Sequence, residues 1–168
     1  AGRVLIGLAL IFVSLSLIRD ATEPLRDSPG IGAAMRYLAG DLLTAFVIGA
    51  ALAWAVHSSV AAVLLFVTLA AQSMLPAPAA AAMVLGANLG GSLIAFVLTI
   101  GADVAARRVV IANLLLRGGG AVIALLLIRS QGALPDWLGA TPPRQAINLH
   151  LAFNLAVLAI GLPLGGTV

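Results

Sequence analysis

Apolar residues along this chain fall into five blocks separated by short polar stretches. The first, Val4–Ile18, is followed by RDATEPLRDSPGIGAAMRYLAGD, where charges alternate with Leu25, Ile31, Met35 and Leu38. That alternation predicts short amphipathic pieces lying in a headgroup region. The second block, Leu42–Ala71, would be about 45 Å long as one helix, too long for one untilted crossing, and His57-Ser58-Ser59 interrupts it. Its arms, Leu42–Val56 and Val60–Ala71, would be roughly 22 and 18 Å long, and neither crosses a hydrocarbon core of about 30 Å. A re-entrant helical hairpin with His57-Ser58-Ser59 near its tip fits best; a long broken helix is the alternative. After QSMLPAP comes Ala79–Ala102, read as a discontinuous transmembrane helix broken at GANLGG, Gly86–Gly91. Val109–Ile128 reads as an unbroken span apart from Arg117 and Gly118-Gly119-Gly120, and Ala146–Leu164 is the last span. The intervening RSQGALPDWLGATPPRQ is a polar loop with Trp137 placed as an interface anchor.

The two interruptions lie in neighbouring blocks. Backbone N–H and C=O groups freed at membrane depth find no partner in hydrocarbon, so breaks persist where they line a cavity or bind something. Two breaks close in sequence predict one shared site. Ser58 and Ser59 are placed to cap the arm beginning at Val60, so that the N–H groups of Val60, Ala61 and Ala62 face the tip with the positive end of the helix dipole. This is an anion-binding arrangement. The arm ending at Val56 turns its carbonyls to the same place, where a small cation can be held.

Composition fixes the class. Of 168 residues 62% are hydrophobic and only 9% charged, and the mean hydropathy is +1.15. No water-soluble domain of this size tolerates such a surface, which makes this a multi-spanning all-α membrane protein embedded in a lipid bilayer. Every basic residue is Arg, for a formal +3, but the charges lie mostly between apolar blocks and form no basic face for nucleic acid. The absence of Cys removes thiolate metal sites, disulfides and cysteine nucleophiles. The chain starts at Ala1, and no small-residue cleavage pattern separates Ile18 from Arg19-Asp20. The first block therefore reads as a transmembrane helix at the start of a fragment, not as a signal peptide.

HSSVA, then LGANLGGS about 25 residues on, then ARRVVIANLLLR and INLHLAFNLAVLAIGLP, together resemble the bacterial Na/Pi-cotransporter (type II sodium–phosphate symporter) family, whose repeat reads QSSSAT…GANIGTT…AHLLFN. The similarity covers essentially the whole chain. It implies one of two repeats of inverted topology, with phosphate and sodium bound between them in the bacterial plasma membrane, and no further cofactor. LIRDATEPLRDSP and the closing HLAFN element make residues 1–168 resemble the second repeat. The other repeat is then a missing partner, and many members add a PhoU-like cytoplasmic regulatory domain. Carried over residue by residue, the resemblance places His57, Ser58, Ser59, Gly90, Gly91 and Ser92 at the substrate and Gly86 and Asn88 at sodium, beside the carbonyl of Val56 already read as a cation ligand. The departures are His57 for the glutamine, Val60 for the third serine, and Gly91 and Ser92 for the threonines. Imidazole donates and accepts like an amide but can also take up a proton, so pH-sensitive or partly proton-driven transport is a further expectation.

Each residue also has a structural reading. Serines in membrane helices bond the preceding turn, small residues such as Gly86, Gly90 and Gly118 let helices pack closely, and His150 with Asn148 and Asn154 can join helices by hydrogen bonds. Arg117 is the one charge deep in a span, with no acid in the apolar blocks to pair with it. It closes off free carbonyls, snorkels beside a neighbouring repeat, or lends positive potential to an anion site. Rival functions are a non-transporting structural subunit, an intramembrane serine hydrolase using Ser58 or Ser59 with His150 as base, and a haem bundle using His57 and His150.

Overall fold

Residues 2–164, which the computed structural model describes, fold into helices without a strand among them. Helix α1 (Gly2–Thr22) ends in a 3-10 turn, Glu23–Leu25. Helix α2 (Pro29–Gly40) meets α3 (Leu42–Ala55) at a bend of 112°. Asp41 makes that corner. One carboxylate oxygen accepts the Thr44 N–H at 3.2 Å and the other accepts the Thr44 hydroxyl at 2.6 Å, which satisfies a backbone donor that a starting helix leaves open. Helices α4 (Ser59–Ala71), α5 (Ala77–Leu98) and α6 (Val104–Asn113) follow, then a π-helical segment, Leu114–Gly119. It runs directly into α7 (Gly120–Gln131), and α8 (Pro142–Leu164) closes the described chain.

Four stretches are long and apolar enough to cross a membrane: Gly2–Leu25, Ala77–Leu98, Val104–Gln131 and Pro142–Pro163. With 14 and 13 residues, α3 and α4 are roughly 20 Å each and fall short of a full crossing. Helix α5 is the centre of the molecule. Its residues Ala79–Asn88 are all buried, between α3, α4, α7, α8 and the π segment, whereas α1 buries no residue at all.

The glycines of α5 explain why α3 lies so close. A Cβ on Gly86 would overlap the Phe46 carbonyl, and one on Gly90 would overlap the Ala50 carbonyl and stand 3.0 Å from the Ala53 Cβ. Gly49 of α3 meets the Met83 backbone in the same way. Four-residue spacing puts these small residues on one face, so two backbones approach as closely as in small-xxx-small membrane pairs.

GANLGG was expected to break its span, and it does not: α5 runs through it without interruption. Its glycines remove side chains from a helix–helix contact and leave the backbone hydrogen bonds intact. The irregular span is instead the next one, expected to be unbroken, where the π segment carries Arg117 and Gly118.

The hairpin direction follows from contacts. Gly86 lies against Phe46 and Gly90 against Ala50 and Ala53, so α3 and α5 run the same way. Five residues, Gln72–Pro76, join α4 to α5, while the start of α4, Ser59, lies against Gly91. Helix α4 therefore runs back beside α3, and Val56–Ser58 is the turn between them.

Candidate functional site

The turn at Val56–Ser58 is closed by backbone. The Ser58 N–H donates to the Ala53 carbonyl at 3.2 Å and the His57 N–H donates to the Trp54 carbonyl at 3.2 Å. This pairing of bonds is a helix C-terminal closure whose penultimate position is usually Gly in the left-handed region. Here the position is His57, with φ +53°. Its ring Nδ1 stands 3.2 Å from the Ala55 carbonyl, and the ring stacks with Trp54 at a centroid distance of 6.5 Å. Both side chains are exposed.

Ser58 caps α4. Its Oγ accepts the Ala61 N–H at 3.1 Å, and its carbonyl accepts the Ala62 N–H. Of the donors expected to face the tip, those of Ala61 and Ala62 are thus taken, while the N–H groups of Ser59 and Val60 keep no backbone acceptor among the described residues. The Val56 and His57 carbonyls likewise accept no backbone N–H among the described residues. Free donors at the start of one helix and free acceptors at the end of another therefore share one turn.

That turn rests on the GANLGG strip. A Cβ on Gly91 would come within 3.0 Å of the Ser59 Cβ and 3.2 Å of its Oγ. Ser92, next in sequence, is buried, and its hydroxyl donates to the Leu89 carbonyl at 2.7 Å. A Cβ on Gly118 would stand 3.4 Å from the Ser92 Oγ, so the π segment adjoins the same strip. Gly86 and Gly90 face α3, and their observed part is packing.

A second group lies one helical turn away. Asn88 is fully buried, and its Oδ1 accepts from Arg117 Nε at 3.1 Å and Arg117 Nη2 at 2.9 Å. Asn154 Nδ2 also reaches that oxygen, at 3.3 Å, and donates to the His150 carbonyl at 2.7 Å. Asn88 Nδ2 donates to the Val84 carbonyl at 2.9 Å and stands 3.4 Å from His150 Nδ1. The oxygen of Asn88 expected to serve sodium thus faces cationic and amide donors in this arrangement. Among the described residues, no serine hydroxyl lies within hydrogen-bonding distance of His150, as a hydrolase base would require.

Asn88, Arg117 and Asn154 each sit near the middle of their spans, Ala77–Leu98, Val104–Gln131 and Pro142–Pro163. The group is therefore a polar layer at mid-depth. Asn154, expected only to join helices by hydrogen bonds, meets Asn88 and through it Arg117. Two signals pointed there: an Arg with no acid in any apolar block, and His150 and Asn154 four residues apart, hence on one face.

Residues 29–161 match the family described as Na+/Pi-cotransporter. The chain is 38% identical over 154 residues to a Salmonella typhimurium protein named "Putative inorganic phosphate export protein YjbB", covering 92% of this chain and 28% of that protein. The Escherichia coli and Shigella flexneri proteins of the same name are each 37% identical over 162 residues, covering 96% of this chain and 30% of theirs. The chain thus spans less than a third of the length of these relatives. No solved structure matches it.

Proposed function

Because this chain belongs to the Na+/Pi-cotransporter family, we propose that it is one repeat, the second, of a secondary transporter that moves inorganic phosphate across the bacterial inner membrane, coupled to sodium. The missing other repeat faces it across the Val56–Ser58 turn, and a PhoU-like cytoplasmic domain is a further partner of the complete protein. The observation that supports this reading is the turn itself, which holds N–H groups of Ser59 and Val60 and carbonyls of Val56 and His57 without backbone partners among the described residues, and which Ser59 seats against Gly91.

A phosphate oxyanion accepts from the Ser58 and Ser59 hydroxyls and from the open N–H groups at the start of α4, where the helix dipole is positive. Sodium takes the Val56 and His57 carbonyls at the end of α3, where the dipole is negative. Each ion offsets the desolvation cost of the other, which a lone ion at mid-depth would meet in full. Gly91 keeps room for Ser59, Ser92 holds the adjoining turn, and Arg117 adds positive potential. His57 occupies the exposed corner, where it bears on both ions. Rocking of the two repeats then opens the loaded site to either side in turn.

Radiolabelled phosphate flux through the complete protein in vesicles tests this reading, with the sodium gradient imposed in each direction. Phosphate movement that follows the sodium gradient supports it. Phosphate movement indifferent to sodium removes the coupling, and no phosphate movement removes the transporter reading.

A further inference from the structure

Arg117 sets the problem. It stands near the middle of a 28-residue span, and neither that span, nor α5, nor α8 contains an Asp or Glu. A guanidinium at such depth is costly unless it faces a partner or a wet cavity. Its visible partner is neutral. Nε and Nη2, which lie along one edge of the guanidinium, both donate to Asn88 Oδ1. Arg has five N–H donors, so about three remain, chiefly on Nη1. No side-chain nitrogen or oxygen among the described residues is buried without a partner. The outer edge of Arg117 therefore opens on space that the described residues leave unfilled.

The orientation is fixed from behind. Because Asn88 turns its oxygen to Arg117, its Nδ2 must point to the Val84 carbonyl and His150 Nδ1, and Asn154 Nδ2 supports the oxygen from the other side. The amide holds the guanidinium by two bonds without cancelling its charge. An acid there would hold it by a bidentate pair and neutralise it. Along α5, Asn88 is three residues from Gly91, about 4.5 Å of rise, and Gly91 touches Ser59. The clamp and the Gly91–Ser59 contact are therefore about one turn apart along the same helix, and Gly118, next to Arg117, adjoins Ser92 beside Gly91.

We infer that Asn88 is a positioning residue for the anion site: its neutral amide clamps one edge of Arg117 and leaves the other edge, fully charged, to contact the transported oxyanion directly. This rests on the phosphate reading above. It makes Arg117 a ligand of phosphate, with His150 and Asn154 holding the clamp.

The test compares wild type, Asn88→Asp and Arg117→Gln in the complete protein, reconstituted in vesicles, by phosphate concentration dependence at pH 8. Asn88→Asp keeps the shape of the clamp and strengthens its grip while removing its neutrality. The expected result is a rise of about tenfold or more in half-saturating phosphate for both variants, with the maximal rate of Asn88→Asp within about threefold of wild type. If Asn88 only glues helices together, Asn88→Asp leaves the concentration dependence where it was, and that result overturns the inference. Should Asn88→Asp fail to insert, Arg117→Gln decides, since an unchanged half-saturation excludes Arg117 from the anion. A wild-type protein that moves no phosphate ends the phosphate reading itself and this inference with it, which separates the two failures.

Discussion

Ser59 lies directly against Gly91, so that even a methyl group on the glycine would stand 3.0 Å from the Ser59 Cβ. This contact joins the helical hairpin to the central span at the place where both present polar groups. Gly91→Ala is expected to push Ser59 outward by a few tenths of an ångström and raise half-saturating phosphate several-fold. Ser59→Ala is expected to do the same by removing the hydroxyl. Neither should lower the unfolding midpoint in detergent appreciably, because neither removes a cap or a buried bond. Uptake curves and thermal unfolding together check this, and unchanged uptake curves in both variants would remove Ser59 from the site.

Ser58 caps α4 and, in the proposed site, also binds phosphate, so its substitution should show both effects. Its Oγ accepts the Ala61 N–H, and losing such a cap costs about 1 kcal/mol. Ser58→Ala should therefore lower stability by about that amount and weaken phosphate binding as well. Ser58→Asp restores the cap but places a carboxylate at the proposed anion site, so it should recover stability while abolishing uptake. Thermal unfolding alongside phosphate flux distinguishes the two effects.

His57 occupies a left-handed position, φ +53°, which costs a residue with a Cβ about 1–2 kcal/mol. His57→Gly should stabilise the fold by about 1 kcal/mol or less, after the entropy that glycine loses on folding. His57→Ala should not stabilise it. Chemical denaturation in mild detergent measures the difference, and a destabilised glycine variant would show that the Trp54 stacking and Ala55 contacts outweigh the backbone strain.

The α3–α5 contact is backbone on backbone. Gly86→Ala and Gly90→Ala should each part the helices and cost about 1–3 kcal/mol, the range for overpacking a filled core. Gly119→Ala, where a Cβ meets nothing within 4 Å, is the control and should leave stability nearly unchanged. Loss of folded protein on size-exclusion in detergent, for the first two only, is the expected readout.

The 168 residues alone should not transport. The polar turn at Val56–Ser58 and the outer edge of Arg117 have no further partner among the described residues, and unpartnered polar groups at mid-depth require a facing element. Reconstituted fragment and co-expressed halves, assayed side by side for sodium-driven phosphate uptake, check this. Comparable uptake by the fragment would mean that two copies insert in opposite orientations and complete each other.

The hairpin was legible because its boundaries are written in local chemistry. Arms expected at Leu42–Val56 and Val60–Ala71 are observed at Leu42–Ala55 and Ser59–Ala71, since Ser58 is a capping residue and each arm is uniformly apolar. GANLGG was misleading because glycine carries two meanings. Its low helix propensity marks breaks, and its missing side chain marks close packing; only the position of Phe46 and Ala50 decides between them, and that is tertiary. The polar layer was not legible for the same reason. Asn88 and Arg117 are 29 positions apart, and Asn88 and Asn154 are 66, so nothing local announces that they meet. The π segment around Arg117 was hidden as well, because a run of Leu and Gly fits an ordinary helix equally well.

The interlock of Gly86 and Gly90 with the carbonyls of Phe46 and Ala50 bears on which parts of the molecule can move. Close-packed interfaces switch between discrete arrangements and do not stretch, and this one has no side chains to rotate out of the way. Arm α3 and the central span must then travel as one piece, carrying the serine turn with them. A hairpin fastened along its leading arm cannot lift away like a flap to admit solute. Under the transport reading proposed above, passage from one side of the membrane to the other falls to displacement of the whole half, with its cargo riding in place.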